Sequence, residues 1–570
     1  MSRLLSARVA GYVPRQRPRR DRVPARPAAL GSVMRSARYR SLLLALTTLF
    51  AALAASGCKV TAEDIAYWKR TVKGPGKIAA VILSDKYPVD LRTQGALALI
   101  EMERTDVDGV DLMKRALEQL KSTNPEDMQR IVEGMVPGLV EAMRGGADAT
   151  PSGEDTPPPP AQVRAKDAAY VLVLIGASGA AKEQLINAVV GWYATDFAKR
   201  SLAGSYSAEQ VVRSLGSEAD RQLAARQLVE AMTARIPVQA MVKISQLLGQ
   251  IGNDETKRVA GETLVRVQRE METDEYLGWL KEQISASYAA QGREASENLV
   301  TRAALLNREN YINDGALPAM KFLAESEPVA NRLLEIARTQ PPSSAAPLER
   351  ESINLRRQRA LMALEGGAKR SHLDQLLALA LNNDNPIAVR DYAFDRVGDI
   401  RSEDAIPRLW PLVTYAENDD LQKRIRWRAG ELVLVLGGPD VVGEFLNRLP
   451  DDREVEYEPE ELEGYATRMA QMTPRPARVD ALIERQLSSS DWFAKTIALR
   501  FIERTGDAGD VAKMERLRRD RGDVVGDGWS RREISTVGKV AESAIAGLRE
   551  RLARPAAGVA AAMEEASMTE

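Results

Sequence analysis

Along most of the chain, apolar residues return at helical rather than strand spacing. In PVDLRTQGALALIEM, Val89, Leu91, Ala96, Leu97, Leu99 and Ile100 gather on one helical face. No long run alternates apolar with polar as a half-buried strand does. Gly, Pro, Asn and Asp interrupt the pattern every ~15 to 20 residues. The pattern predicts one amphipathic helix after another.

Within those helices a finer motif recurs: a basic residue, a small one three positions on, and an aliphatic one four beyond that. It reads Arg92-Gly95-Leu99, Lys166-Ala169-Val173, Arg221-Ala224-Leu228 and Lys257-Ala260-Leu264. It returns as Arg390-Ala393-Val397, Arg426-Ala429-Val433 and Lys495-Ala498-Ile502. Arg221 to Lys257 and Arg390 to Arg426 are each 36 residues, and Arg92 to Lys166 is 74, near two such periods. That period suits one two-helix repeat. The small residue lets neighbouring helices approach, so Ala429 is expected to be buried where two helices meet. The aliphatic residue fills the shared core. The basic residue stands near a helix start, where acids of the preceding loop can pair with it, as in NDNPIAVRDYAFDRVGD and NDDLQKRIRWRAGELVLVLGG.

This series resembles the HEAT-repeat family in degenerate form. The resemblance implies an all-α fold, an α-solenoid of stacked antiparallel helix pairs, over roughly residues 77–550. Between Lys257 and Arg390 the period is lost. The alternative is an irregular helical bundle.

Two stretches read as linkers. GGADATPSGEDTPPPPAQ, residues 145–162, has the composition of a disordered or polyproline-II loop, and QPPSSAAP opens a shorter break over 340–350. The expected organisation is N-terminal helical repeats at 58–144, a middle block at 163–339, a C-terminal HEAT-like block at 351–553 and a flexible tail at 554–570.

Ahead of the repeats lies LLLALTTLFAALAASGCKV. Arg35, Arg38 and Arg40 precede an uncharged apolar run from Leu42 to Ala55, followed by small residues. The run is shorter than the ~20 residues that span a bilayer, so 34–57 reads as a signal peptide. Ala55-Ser56-Gly57-Cys58 resembles the lipobox of bacterial lipoproteins, though leucine is commoner where Ala55 stands. The resemblance implies that Cys58, the one cysteine in 570 residues, carries the lipid after cleavage before it. With Lys59 rather than Asp next, it also implies the outer membrane, its periplasmic face, in a Gram-negative cell. Several acyl chains hold a protein on a membrane where one holds only marginally. Residues 1–33, rich in Arg and Pro, read as a mis-assigned start before Met34 or a disordered basic arm.

Cleavage also changes the charge. Residues 1–57 hold eleven Arg and one Asp, so a chain beginning at Cys58 has 68 basic and 79 acidic residues, a net charge of −11. That sign does not draw nucleic acid or anionic lipid; a cationic or neutral protein partner is expected.

Candidate chemistry is thin. A single cysteine excludes intramolecular disulfides and cysteine zinc clusters. The single histidine, His372, lies at the start of an amphipathic helix in KRSHLDQLLALAL and reads as a helix-boundary residue rather than a general base. Gly176, Gly179 and Lys182 mimic a phosphate loop, but Ala181 precedes the lysine and Glu183 follows it, so an inter-helix turn is expected. The expectation is no catalytic residue, cofactor or metal, and a non-catalytic scaffold that binds envelope proteins. The alternative is an envelope enzyme resembling the lytic transglycosylases, which join a helical superstructure to one catalytic Glu followed by Ser. Glu325-Ser326 and Glu351-Ser352 are the nearest pairs, without that family's glycine- and glutamine-containing motif.

Overall fold

A computed structural model describes residues 60–104, 106–145, 157–450 and 455–553. The chain divides into two compact units, residues 1–64 and 65–570. Of the first, only residues 60–64 are described, where Thr61 and Asp64 cap each other at the start of the Ala62–Trp68 helix. Cys58, the signal segment, the basic arm and the tail from residue 554 lie outside the described residues.

Within the second unit the described residues are helical apart from turns and one isolated bridge, Asp523 to Thr536. The helices fall into two layers, and most of them pack on the next member of their own layer. The first layer runs through Gly74–Leu83, Gly109–Thr123, Pro160–Ile175 and Val238–Ile251, then Leu317–Lys321, Pro347–Ala363, Ile387–Ile400, Asp420–Arg448, Pro459–Ala470, Trp492–Thr505 and Val537–Ala553. The second holds Val89–Ile100, Pro125–Arg144, Gly179–Thr195, Glu218–Ala231, Asp254–Met271, Glu327–Arg338, Leu373–Leu381 and Ile406–Val413 among others. The Asp420–Arg448 helix breaks at Gly438 (φ 55°, ψ −143°), a left-handed residue that glycine tolerates, and Pro439 starts a new segment. The result is a HEAT-like α-solenoid of stacked antiparallel pairs. None of the described helices is long and apolar enough to cross a membrane.

The recurring small residue does what its spacing predicts. Ala169, Ala224, Ala260, Ala393, Ala429 and Ala498 are all fully buried, and Leu99, Leu264, Val397 and Val433 are buried with them. Two glycines allow still closer approach: a Cβ on Gly430 would stand 2.6 Å from the Tyr465 ring, and one on Gly95 would touch Ile82 and Ile78.

The recurring basic residue behaves differently from expectation. Arg92, Arg357, Arg390 and Arg426 are buried, and each donates to a backbone carbonyl rather than to an acid of the preceding loop. Nε of Arg92, Arg357 and Arg390 donates to Ile82 O (2.8 Å), Ala337 O (2.9 Å) and Ala380 O (2.9 Å), each in the last turn of the preceding helix. Nη1 of Arg426 donates to Tyr415 O at 3.0 Å, just past the Ile406–Val413 helix. The last carbonyls of a helix have no partner within it and carry its negative end, so a buried cation satisfies both needs. The acidic partners come from further on: Asp127 for Arg92 at 2.6 Å and Glu461 for Arg426 at 2.8 Å, each 35 residues downstream.

The lost period in the middle has a structural cause. Asp274–Ala290 and Glu297–Asn310 form an added helical hairpin, which runs through the π-turn Tyr311–Ala316 into Leu317–Lys321. After it the motif resumes at Arg357-Ala360-Leu364, all buried, a copy not recognised from sequence. Before the hairpin the motif occupies both layers, the second at Arg92, Arg221 and Lys257 and the first at Lys166, whereas Arg357, Arg390, Arg426 and Lys495 all lie in the first. The Pro347–Ala363 helix begins inside the expected 340–350 linker and packs on Glu327–Arg338, so the stack passes through without a gap.

Candidate functional groove

Most sequence candidates for chemistry have a structural occupation. His372 closes a 3-10 turn before Leu373–Leu381, with its Nδ1 accepting the Lys369 N–H (3.1 Å) and its Nε2 against Asn331 Oδ1 (3.2 Å). Burial holds its pKa below the ordinary value, so the ring is neutral and engaged at both nitrogens. Glu325 pairs with Lys257 at 3.2 Å on the surface, while Ser326 donates to Leu323 O ahead of the Glu327–Arg338 helix. Ser352 donates to Glu309 at 2.9 Å. Gly176 ends its helix in the left-handed region (φ 117°), and Lys182 pairs with Asp220 at 2.6 Å, so this segment is the expected inter-helix turn. No cluster of metal-ligating side chains occurs among the described residues.

What the first layer builds instead is a groove. Successive helices Pro347–Ala363, Ile387–Ile400, Asp420–Arg448 and Pro459–Ala470 lie side by side. They line a depression of about 1120 Å³ that includes Gln358, Ile387, Tyr392 and Trp427. The short Asp527–Arg531 helix closes one end. Trp529 anchors it: fully buried, it donates through Nε1 to Tyr457 O at 2.6 Å and meets Trp492 edge-on. At its other end the groove shares Gln358, Tyr392 and Asp395 with a second depression of about 700 Å³, lined by Leu317, Pro318, Leu355, Met362 and Ala363.

The charges along the larger depression nearly balance, six acidic against five basic, so the chain's acidic surplus is not concentrated there. Most are spent on one another. Arg424 pairs with Asp391 (2.5 Å), Arg428 with Asp395, and Arg532 with Glu460 (2.6 Å) and Glu463 (2.9 Å). Lys423, almost buried, is shared by Glu456 (2.9 Å), Asp420 (3.2 Å) and Glu458 (3.5 Å). Burial opposes its charge, but these three acids hold its pKa above the ordinary lysine value. Beneath them, Glu461 takes Nε and Nη2 of Arg426, each at 2.8 Å, and the Tyr465 hydroxyl at 2.9 Å. Burial again opposes the Arg426 charge, and the hydrogen bonds it donates to Glu461 more than offset it. Arg426 also stacks 4.3 Å from the Tyr457 ring centroid. Burial pushes the Glu461 carboxyl up and Arg426 opposes that shift, so the groove floor is a buried, hydrogen-bonded ion pair.

Sequence reasoning did not find Tyr392, Trp427, Leu355 or Met362. Their signal was an apolar residue on the outer face of a helix whose inner face was already filled, and it needs the helix rotation to be read.

No protein family and no curated protein matches the chain. Among solved structures it is similar to the crystal structure of Kap121p bound to Pho4p, at 15% identity over 87% of this chain and 46% of that one, with a TM-score of 0.34. It is likewise similar to the karyopherin Kap121p bound to the extreme C-terminus of the protein phosphatase Cdc14p, at 14% identity over 89% and 47%, TM-score 0.34. The chain spans about half the length of these structures.

Proposed function

We propose that the protein is a non-catalytic scaffold that binds a protein partner in the first-layer groove between Pro347–Ala363 and Pro459–Ala470, held at a membrane of the cell envelope by lipid on Cys58. The observation that supports it most is the groove itself: a long depression lined by half-buried Tyr392 and Trp427, with most of its charges already paired. A surface of that kind offers area and shape to another chain rather than a reacting constellation. The anchor rests on the sequence around Cys58. Since the residues before Val60 lie outside the described structure, it is tested separately.

The experiment is capture from envelope extract with the purified chain as bait, in parallel with a Tyr392→Ala/Trp427→Ala double variant. The reading expects a protein retained by the wild type and lost from the variant, whose helicity is unchanged. Turnover of peptidoglycan by the purified chain, abolished by Glu325→Gln or Glu351→Gln, would overturn it in favour of an enzyme.

A further inference from the structure

The smaller depression differs in character from the larger one. On its wall, Leu355 and Met362 stand one heptad apart on the Pro347–Ala363 helix, 41% and 43% exposed. Its charged residues are three acids and three bases, and each is committed. Arg359 pairs with Asp314, Lys321 with Glu365 (2.6 Å), Arg396 with Asp399 (3.0 Å), and Asp395 with Arg428. A charged occupant would have to compete with these pairs, whereas a neutral one need not.

Two side-chain amides in the same depression are uncommitted. Asn313 is 5% exposed, and its Oδ1 is buried with no hydrogen-bond partner. It sits in the π-turn Tyr311–Ala316, where the helix widens by a residue; such turns re-aim side chains and recur at functional sites. Gln358, at the junction of the two depressions, makes no hydrogen bond among the described residues. Buried polar groups are ordinarily satisfied, so an unsatisfied amide beside an open apolar wall marks a place where something else supplies the partner.

Resting on the scaffold reading, we infer that this depression takes an uncharged, aliphatic peptide segment of the partner, its side chains against Leu355 and Met362 and its backbone hydrogen-bonded to Asn313 and Gln358. An aliphatic segment complements the wall without disturbing the ion pairs, and a peptide backbone carries the donors and acceptors the two amides lack.

The test is selection of phage-displayed random dodecapeptides on the purified full chain, followed by titration of the enriched peptides by fluorescence anisotropy. The expected peptides are neutral and rich in Leu, Ile, Val or Met. Met362→Lys should weaken them by about tenfold or more, the scale of a hot-spot loss. Asn313→Ala should weaken them by about threefold to tenfold, the range for one hydrogen bond. Leu174→Lys, exposed on the Pro160–Ile175 helix, should leave them unchanged. Circular dichroism and the melting midpoint show whether each variant is folded. Peptides that bind Met362→Lys as tightly as the wild type, or that are dominated by charged residues, overturn this inference while leaving the scaffold reading standing. No enrichment of any peptide, together with no captured partner, overturns both.

Discussion

Arg390 and Arg426 occupy equivalent positions 36 residues apart, each wholly buried, yet their removal should have very unequal consequences. Arg426 neutralises Glu461, itself 1% exposed; take the guanidinium away and a carboxylate remains inside the protein with only the Tyr465 hydroxyl for company. Breaking a buried pair from one side costs about 3–5 kcal/mol. Arg390 has no such acid. Its Nε donates to Ala380 O, while Nη1 and Nη2 are buried without partners. Methionine in its place forfeits one hydrogen bond, about 0.5–1.5 kcal/mol, and removes two unsatisfied nitrogens, so the net change should lie within about 1 kcal/mol of zero. A chain of stacked repeats need not unfold in one step, so a global midpoint blurs the contrast. Native-state hydrogen exchange isolates it. In Arg426→Met, amides of 420–437 and of Pro459–Ala470 should exchange roughly 10²- to 10³-fold faster, since each 1.4 kcal/mol is a factor of ten. In Arg390→Met, amides of Ile387–Ile400 should change by no more than about fivefold, the equivalent of ~1 kcal/mol. Adding Glu461→Met to Arg426→Met should restore most of the lost protection. Equal acceleration in the two single variants would refute the claim that the downstream acid decides the energetics of this repeat position.

Three further outcomes are expected. Ala429→Leu forces extra methylenes into a fully buried contact and should cost about 1–3 kcal/mol, read as a lower midpoint in urea; an unchanged midpoint counts against close helix packing there. The folded-state pKa of His372 is depressed by burial, so its contribution to stability is fully present above its unfolded value of about 6.5 and is lost as pH falls below that. Between about pH 7.5 and about pH 5.5 the wild type should therefore lose more thermal stability than His372→Gln, with equal losses contradicting the assignment. Cys58→Ala should shift the protein from the membrane fraction to an uncleaved or soluble form, and a native protein whose mass shows a free Cys58 thiol rejects the anchor.

How much of this was legible beforehand follows from the range of each interaction. The Arg–small–aliphatic motif is local to one helix, so spacing alone identified Ala393, Ala429 and Ala498 as core. What the basic residue bonds to is not local. Its carbonyl belongs to the helix before, and its acid lies 35 residues later, so acids in the adjacent loop were the natural but mistaken choice. Arg357-Ala360-Leu364 escaped because the Asp274–Asn310 hairpin displaces it from the 36-residue grid. The groove was the least legible part. Trp427 and Met362 look like ordinary helix residues until the neighbouring helices show which face is left uncovered, and the pairing that neutralises Asp391, Asp395 and Glu460 is visible only across helices. Net charge alone suggested an acidic binding surface, whereas the groove is close to balanced.

On this reading the first-layer groove receives the partner. The most direct measurement is hydrogen–deuterium exchange on the complex recovered by capture, compared with the free chain. Protection should fall on Pro347–Ala363, Ile387–Ile400 and residues 420–437, with Leu373–Leu381 and Ile406–Val413 in the other layer unchanged. Protection confined to that second layer, with the groove helices exchanging as in the free chain, would contradict the account.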